Sequence, residues 1–260
     1  MRADDIASLS RAPLFAGLRP GTLERLSHHA LMRRLPAGTE LFDQGERPLY
    51  LHVLLEGSVE LLGRSSEYRE TVVELLTPVD AFILAAALTD TPYLMAARVV
   101  TASRVVLLRA ETLRQQLVAD PALSLAMLAS LSCHYQGLVR QVKNLKLRST
   151  TQRLGCYLLS LTGRAGKGGS VRLPFDKRRI ASQLGMSAET LSRTLAALRP
   201  YGVQTFGGQV TLRSAAVLAA HCRHDRLIDE VDKDLRVEVK EKECGWLAAA
   251  AQGASAKRYR

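Results

Sequence analysis

The 260-residue chain has no cysteine before Cys133, and its four thiols (Cys133, Cys156, Cys222 and Cys244) stand more than twenty residues apart in every case. That spacing excludes a disulfide framework and the clustered ligands of a zinc or iron–sulfur site, so the cysteines read as small reduced thiols. Long apolar runs are missing too. Charge-free stretches such as Ala81 to Thr89 are about half what a bilayer span needs, and neither a transmembrane helix nor a membrane partner is expected. The first residues carry acids at Asp4 and Asp5 where a secretory signal would place an apolar core, which makes the cytoplasm the expected compartment. Catalytic patterns are absent as well: there is no Ser/His/Asp order, phosphate loop, metal-spaced histidine set or paired carboxylate. His134, His221 and His224 have no convincing partners, and the chain is not expected to be an enzyme.

Acids are scarce in one place only. Between Lys146 and Arg223 thirteen bases meet two acids, Asp176 and Glu189, whereas the residues before and after this segment carry equal numbers of each sign. The whole formal charge of +11 therefore sits in that segment, the footprint of a polyanionic partner. A 47% hydrophobic content at this length suffices for two compact domains with real cores and excludes a disordered chain.

The hydrophobic period divides the chain further. Pro20 to Arg34 reads as an amphipathic helix with Leu23, Leu26 and Leu31 inward. From Leu35 to Val106 two-residue alternation takes over: Leu49, Leu51, Val53 and Leu55 share one face of a strand, and Val59 and Leu61 one face of the next. Gly38, Gly45, Gly57 and Gly63 mark the turns. Such strands suggest a small antiparallel barrel or roll within residues 13–120. Helical spacing returns at Ala110, breaks at Pro121, and continues through Leu128, Leu131, Tyr135, Leu138, Val142 and Leu145 at alternating three- and four-residue steps. This a/d stripe over 121–147 wants a partner helix. Polar flanks at Gln136, Arg140, Gln141, Lys143 and Asn144 narrow it to a seam, which favours a homodimer over packing on its own domain. Residues 223–260 alternate charge signs, with Leu227, Val231 and Leu235 spaced by four, and read as a solvated helix with a disordered end or as an interaction tail.

Within the basic segment, 148–222, a helix over Thr151 to Leu161 ends in the turn Gly163 to Gly169, and Val171 to Pro174 forms a short strand. Lys177 to Leu184, the turn Gly185-Met186-Ser187 and Ala188 to Arg199 then have the logic of a helix-turn-helix. Ile180, Leu184, Leu191 and Leu195 supply the buried faces, Ala181 is small at the crossing, and Ser187 suits the cap of the second helix. Glu189, Thr190, Ser192 and Arg193 point outward from the end that enters a major groove in such motifs. Arg193 suits guanine O6/N7 and Glu189 a cytosine amino group. A carboxylate in so acid-poor a stretch needs a reason, and base reading supplies one. Lys177, Arg178, Arg179, Arg148 and Arg153 are expected on phosphates, while Gly207 to Leu212 reads as the turn and strand of a wing. Pro200 ends the second helix by Arg199.

Several runs, taken in order, resemble the CRP/FNR transcription regulators: Pro13-Leu14-Phe15, Gly38-Thr-Glu-Leu-Phe-Asp-Gln-Gly45, Leu55-Glu-Gly57-Ser-Val59, Val99-Val-Thr-Ala-Ser103 and Ile180-Ala-Ser-Gln-Leu-Gly-Met-Ser-Ala-Glu-Thr-Leu-Ser-Arg193. The resemblance spans about residues 13 to 222. It implies an α+β architecture: an N-terminal cyclic-nucleotide-binding-type β-roll, a long dimerisation helix and a C-terminal winged helix-turn-helix. Its partners would be double-stranded promoter DNA, RNA polymerase and a second copy of the chain. Glu189-x-x-Ser192-Arg193 resembles the FNR branch, which implies a palindrome close to TTGAT-N4-ATCAA. In that reading Arg193 meets guanine, Glu189 its cytosine partner or the adjacent base, and Ser192 a thymine. Lys177, Arg178, Arg179, Ser187 and Thr190 hold the DNA backbone.

Departures from the family are equally informative. Cyclic-nucleotide binders carry a Gly-Glu and an Arg-Ser pair in the phosphate cassette, whereas this chain has Ala85 and Ala86 near the first and Met95-Ala96 at the second. Without a cation a buried phosphate is costly, and no cAMP or cGMP binding is expected. An FNR-type iron–sulfur cluster is excluded by the missing amino-terminal cysteines. The likeness then points to the DNR/NNR group, which is nitric-oxide responsive with haem as its cofactor, or to FixK-like members that need no small ligand. For haem, His28, His29, His52 and Met95 are the candidate ligands. A structural protein that binds DNA without sequence preference is the remaining alternative.

Overall fold

A computed structural model describes residues 3–10, 12–15, 18, 20–67, 69–164 and 170–229. Helices α1 (Ala3–Leu9) and α2 (Pro20–His28) lead into strands β1 (Leu31–Leu35), β2 (Glu40–Phe42), β3 (Tyr50–Arg64), β4 (Glu70–Leu76) and β5 (Asp80–Phe82). After α3 (Leu84–Thr89) come β6 (Ala96–Arg109), α4 (Ala110–Ala119) and the 27-residue α5 (Pro121–Leu147). All pairings are antiparallel: β6 lies between β1 and β3, β4 follows β3, β2 adds to β6 and β5 to β3.

Four expectations are corrected here. Leu49 lies before β3 and is 72% exposed instead of sharing its inner face, and Gly63 sits inside β3 paired with Thr71 instead of at a turn. Leu31 does not continue the first helix: α2 stops at His28, and Leu31 to Leu35 pair with Ser103 to Leu107 of β6, leaving Leu31 40% exposed. A ladder to a long central strand outweighs one more apolar residue at helical spacing. Gly57 is likewise no turn between two strands but a break in register inside the single strand β3. Its φ is +90°, and a Cβ there would lie 2.2 Å from Ser103 Oγ and 2.5 Å from the Ala102 oxygen, so only glycine fits. The irregularity reverses the side-chain parity of β3. Leu51, Val53 and Leu55 pack with the helices and Leu14, Phe15 and Leu113, whereas beyond it Val59 and Leu61 join Phe42, Phe82 and Val99 inside the roll.

At the start of α5, Pro121 occupies the first turn and Asp120 accepts from the Ala122 and Leu123 amides. The uncharged stretch 121–139 is longer than the Ala81–Thr89 run, and α5 is, by length and composition only, long and apolar enough to cross a bilayer. Its apolar residues nevertheless form a stripe. Leu123 and Met127 are buried against the roll, while Leu128, Tyr135, Leu138, Val142 and Leu145 are 40–68% exposed. Leu131 is half-buried, packed against the roll.

The last domain comprises α6 (Thr150–Arg164), β7 (Ser170–Arg172), α7 (Lys177–Gln183), α8 (Ala188–Ala197), β8 (Val203–Phe206), β9 (Gln209–Leu212), α9 (Ala215–Cys222) and α10 (Arg226–Asp229). Leu154, Leu158, Ile180, Leu191, Leu198 and Leu218 form its core beneath a three-stranded sheet ordered β7-β9-β8. Gly155 permits the close approach of α6 and α9, because a Cβ there would meet the Cys222 sulfur at 2.0 Å. The expected helix through Leu235, the Ala-rich tail and Cys244 lie outside the described residues beyond Asp229, as does most of the Gly163–Gly169 turn.

Candidate nucleic-acid interface

Two capping bonds set the reading helix. Asp176 accepts the Arg179 amide at 2.9 Å to start α7, and Ser187 Oγ accepts the Thr190 amide at 3.1 Å to start α8. Between them Gly185 takes φ +64°, and the Met186 amide returns to the Ala181 carbonyl at 2.9 Å, closing the turn. Ile180, Ala181, Leu184, Leu191 and Leu195 are all buried, which fixes the rotation of both helices. The opposite face of α8 therefore carries Glu189, Ser192 and Arg193, one turn apart and exposed. Glu189 and Arg193 form an ion pair across that turn at 73% and 75% side-chain exposure, and Ser192 Oγ donates to the Ala188 carbonyl at 3.1 Å. Such an exposed pair is weak and can open for other partners. Helix α8 ends at Ala197, before a 3-10 turn containing Pro200.

The cations expected on phosphates divide into two groups. Lys177 and Arg178 are exposed at the start of α7. Arg148 and Arg153 are not available, which corrects the expectation. Arg148 is 9% exposed and forms a two-bond ion pair with Asp229 at 2.6 and 2.7 Å, while Arg153 is 8% exposed and donates to the carbonyls of Leu145, Arg148 and Gly185. Arg179 is intermediate: it pairs with Asp176 and, across to the roll, with Glu60 at 2.8 Å. Hydrogen bonding to Glu60 raises its pKa further, against the opposing effect of burial. Sequence reasoning missed Glu60, Asp229 and Ser182 because their partners lie 81 to 119 residues away. The wing tip is Gly207-Gly208, both at positive φ, with Phe206 89% exposed beside it.

In the roll, the segment matching the phosphate cassette is apolar: Ala86 and Ala96 are buried and Met95 packs on the interior cluster. That interior is filled by side chains. Tyr93 stacks on Phe42 at 4.0 Å, and His52 lies between Phe42 (4.9 Å) and Phe82 (5.4 Å). Among the described residues the His52 Nδ1 has no hydrogen-bond partner, yet its ring is enclosed by Phe42, Phe82 and Tyr93. His28 and His29 are exposed, edge to face at the end of α2. These residues do not fit a haem site as they are arranged.

Burial lowers the pKa of His52 from 6.5 to about 4, partly offset by the Tyr50 backbone. Its neutral form therefore contributes stability above pH 6.5, which is lost as the pH falls towards 4 because the unfolded chain takes up the proton first. His52→Phe, which keeps the aromatic packing, is expected to remove about 2–3 kcal/mol of the stability lost between pH 7.5 and 4.5. Urea denaturation at the two pH values measures it, and an unchanged difference would refute the assignment.

A β-roll joined through a long helix to a winged helix-turn-helix defines a regulator that binds DNA. The family models match in the same order: the cyclic nucleotide-binding domain over residues 32–120 and the Crp-like helix-turn-helix domain over 152–221. The chain is 26% identical over 220 residues to a CRP-like cAMP-activated global transcriptional regulator of Mycobacterium tuberculosis, covering 83% of this chain and 98% of that one. It is 27% identical to the nitrogen fixation regulation protein FixK of Azorhizobium caulinodans, over 63% of this chain and 67% of the relative. A solved structure from Ruegeria pomeroyi, described as a cyclic nucleotide binding protein, superimposes with TM-score 0.58 at 29% identity, over 86% of this chain and all of that one. The chain belongs to the CRP/FNR family of DNA-binding transcriptional regulators.

Proposed function

We propose that the protein is a homodimeric cytoplasmic regulator that reads a TTGAT-N4-ATCAA-like palindrome and acts on RNA polymerase at promoters. The observation that carries this is the exposed face of α8, where Glu189, Ser192 and Arg193 stand together at the helix start while Ile180, Leu184, Leu191 and Leu195 of the motif are buried. Two such helices about one duplex turn apart require a dimer, and the exposed stripe of α5 supplies a self-complementary surface. Lys177 and Arg178 take phosphates. Ser187 and Thr190 are spent on capping α8, which leaves their position at the DNA backbone but commits the Ser187 hydroxyl to the Thr190 amide.

In this reading the roll binds neither cyclic nucleotide nor haem, as in a FixK-like regulator. The missing cation at Met95-Ala96 argues against a cyclic nucleotide, and the aromatic filling of the interior favours this reading over the nitric-oxide branch. A signal that does act on the roll would work by shifting the pairing of the α5 helices. Binding to the palindrome should survive a large excess of random duplex. If random duplex competes equally, the protein coats DNA instead of reading it. Adding haemin should give no protein-bound Soret band, and a Soret band lost on mutating His28, His29 or His52 would reverse the sensor assignment.

A further inference from the structure

The first helix of the reader is docked on the sensor. Arg179 of α7 donates through Nε to Glu60 Oε2 at 2.8 Å and through Nη2 to Oε1 at 3.4 Å. One turn along, Ser182 Oγ accepts the Val72 amide of β4 at 2.8 Å and lies 3.1 Å from Thr71 Oγ1. The same stretch of β4 is held by α5, whose Gln141 donates to the Val73 carbonyl at 2.9 Å. A cleft of about 530 Å³ between roll and reader is lined by Glu60, Val72, Arg98, Arg179 and Ser182. Glu60 itself is 2% exposed. Its other cation, Arg98, is farther off at 3.7 Å and already engaged by Glu70 at 3.0 Å and Glu40 at 3.3 Å. Arg179 is thus the nearest counter-charge of a buried carboxylate.

Arg179 is also one of the α7 cations expected on DNA phosphates, next to Lys177 and Arg178. In the docked state Arg179 spends Nε and Nη2 on Glu60 and Nη1 on Asp176, so no edge of its fork is left open for bidentate pairing with a phosphate. We propose that Glu60 is a resident phosphate mimic: it holds Arg179 against the roll and sets the protein's DNA affinity by competing with the backbone for that guanidinium. This rests on the reading of α7 as a backbone contact. The recognition face of α8 stays open in the docked state, so the competition bears on affinity and salt dependence rather than on which bases are read. While the dock is closed, the fraction of protein able to use Arg179 on DNA falls, and the apparent dissociation constant rises in proportion.

Glu60→Gln in the full chain tests it, because the amide keeps the shape and leaves no cation without a carboxylate: Arg98 retains Glu40 and Glu70, and Arg179 retains Asp176. Fluorescence anisotropy on the palindrome across a salt series should show binding about 10-fold tighter. The slope of log affinity against log salt should steepen by about 0.9 for each phosphate contact recovered. Arg179→Ala should weaken binding, and in that background Glu60→Gln should do nothing. If Arg179→Ala weakens binding but Glu60→Gln changes neither affinity nor slope, the mimic is overturned while the backbone reading stands. If Arg179→Ala has no effect, the backbone reading itself falls. A gain from Glu60→Gln that persists without Arg179 would mark general charge repulsion and equally overturn the proposal. Should Glu60→Gln fail to fold by circular dichroism, Ser182→Ala opens the same dock without touching a buried charge. It should tighten binding about 3-fold, and unchanged or weaker binding counts against the mimic.

Discussion

Leu138→Arg is expected to give a folded, monomeric protein whose affinity for the full palindrome drops by about 10²- to 10⁴-fold, towards that of one reader on one half-site. Leu138 lies at the middle of the exposed stripe of α5 and is 52% exposed in the single protomer, so the protomer does not need it to fold. In a pair of α5 helices the same position is enclosed, and a guanidinium there has no carboxylate to meet: α5 carries no acid, and its cations Arg140, Lys143 and Lys146 are like charges. Sedimentation and anisotropy on whole and half palindromes measure both halves of the expectation. A variant that remains dimeric would place the interface elsewhere on the protomer.

Arg193→Ala comes next in size. Loss of a bidentate guanine contact costs about 1–3 kcal/mol per half-site, felt twice in a dimer, with little change on random duplex. The structure adds a reason for the selectivity of this effect. Arg193 stands 75% exposed with Glu189 as its neighbour, so it supports neither the core nor the turn, and its removal leaves the buried faces of α7 and α8 intact. Equal weakening on palindrome and random DNA would reassign Arg193 to the phosphates.

Much of this was legible in the sequence because it is local. The helix-turn-helix is encoded within the twenty-two residues from Asp176 to Ala197 by apolar spacing, one glycine and the Ser187 cap, and the stop at Pro200 follows from one ring. The apolar stripe of α5 was legible for the same reason: a stripe on one helix needs no knowledge of the rest of the chain. Non-local pairing was not. Leu31 looked helical because the pull of β6, more than seventy residues on, leaves no mark beside it. Gly57 looked like a turn because a positive φ serves equally in a turn and in a strand irregularity. Charge counting placed the basic segment but treated its arginines as equivalent, whereas Asp229 and three backbone carbonyls take Arg148 and Arg153 out of it.

The Arg148–Asp229 pair also bears on where this protein can be cut. The helix-turn-helix model ends at residue 221, and a fragment trimmed there would look complete by likeness. Yet Arg148 occupies the short connection between α5 and α6, with its side chain 5% exposed, and its carboxylate arrives from beyond that boundary. A trimmed reader would keep a buried guanidinium with its counter-ion removed, at the point where the two halves of the molecule meet. The boundary that preserves the joint therefore lies after Asp229, and any tag or fusion belongs beyond it.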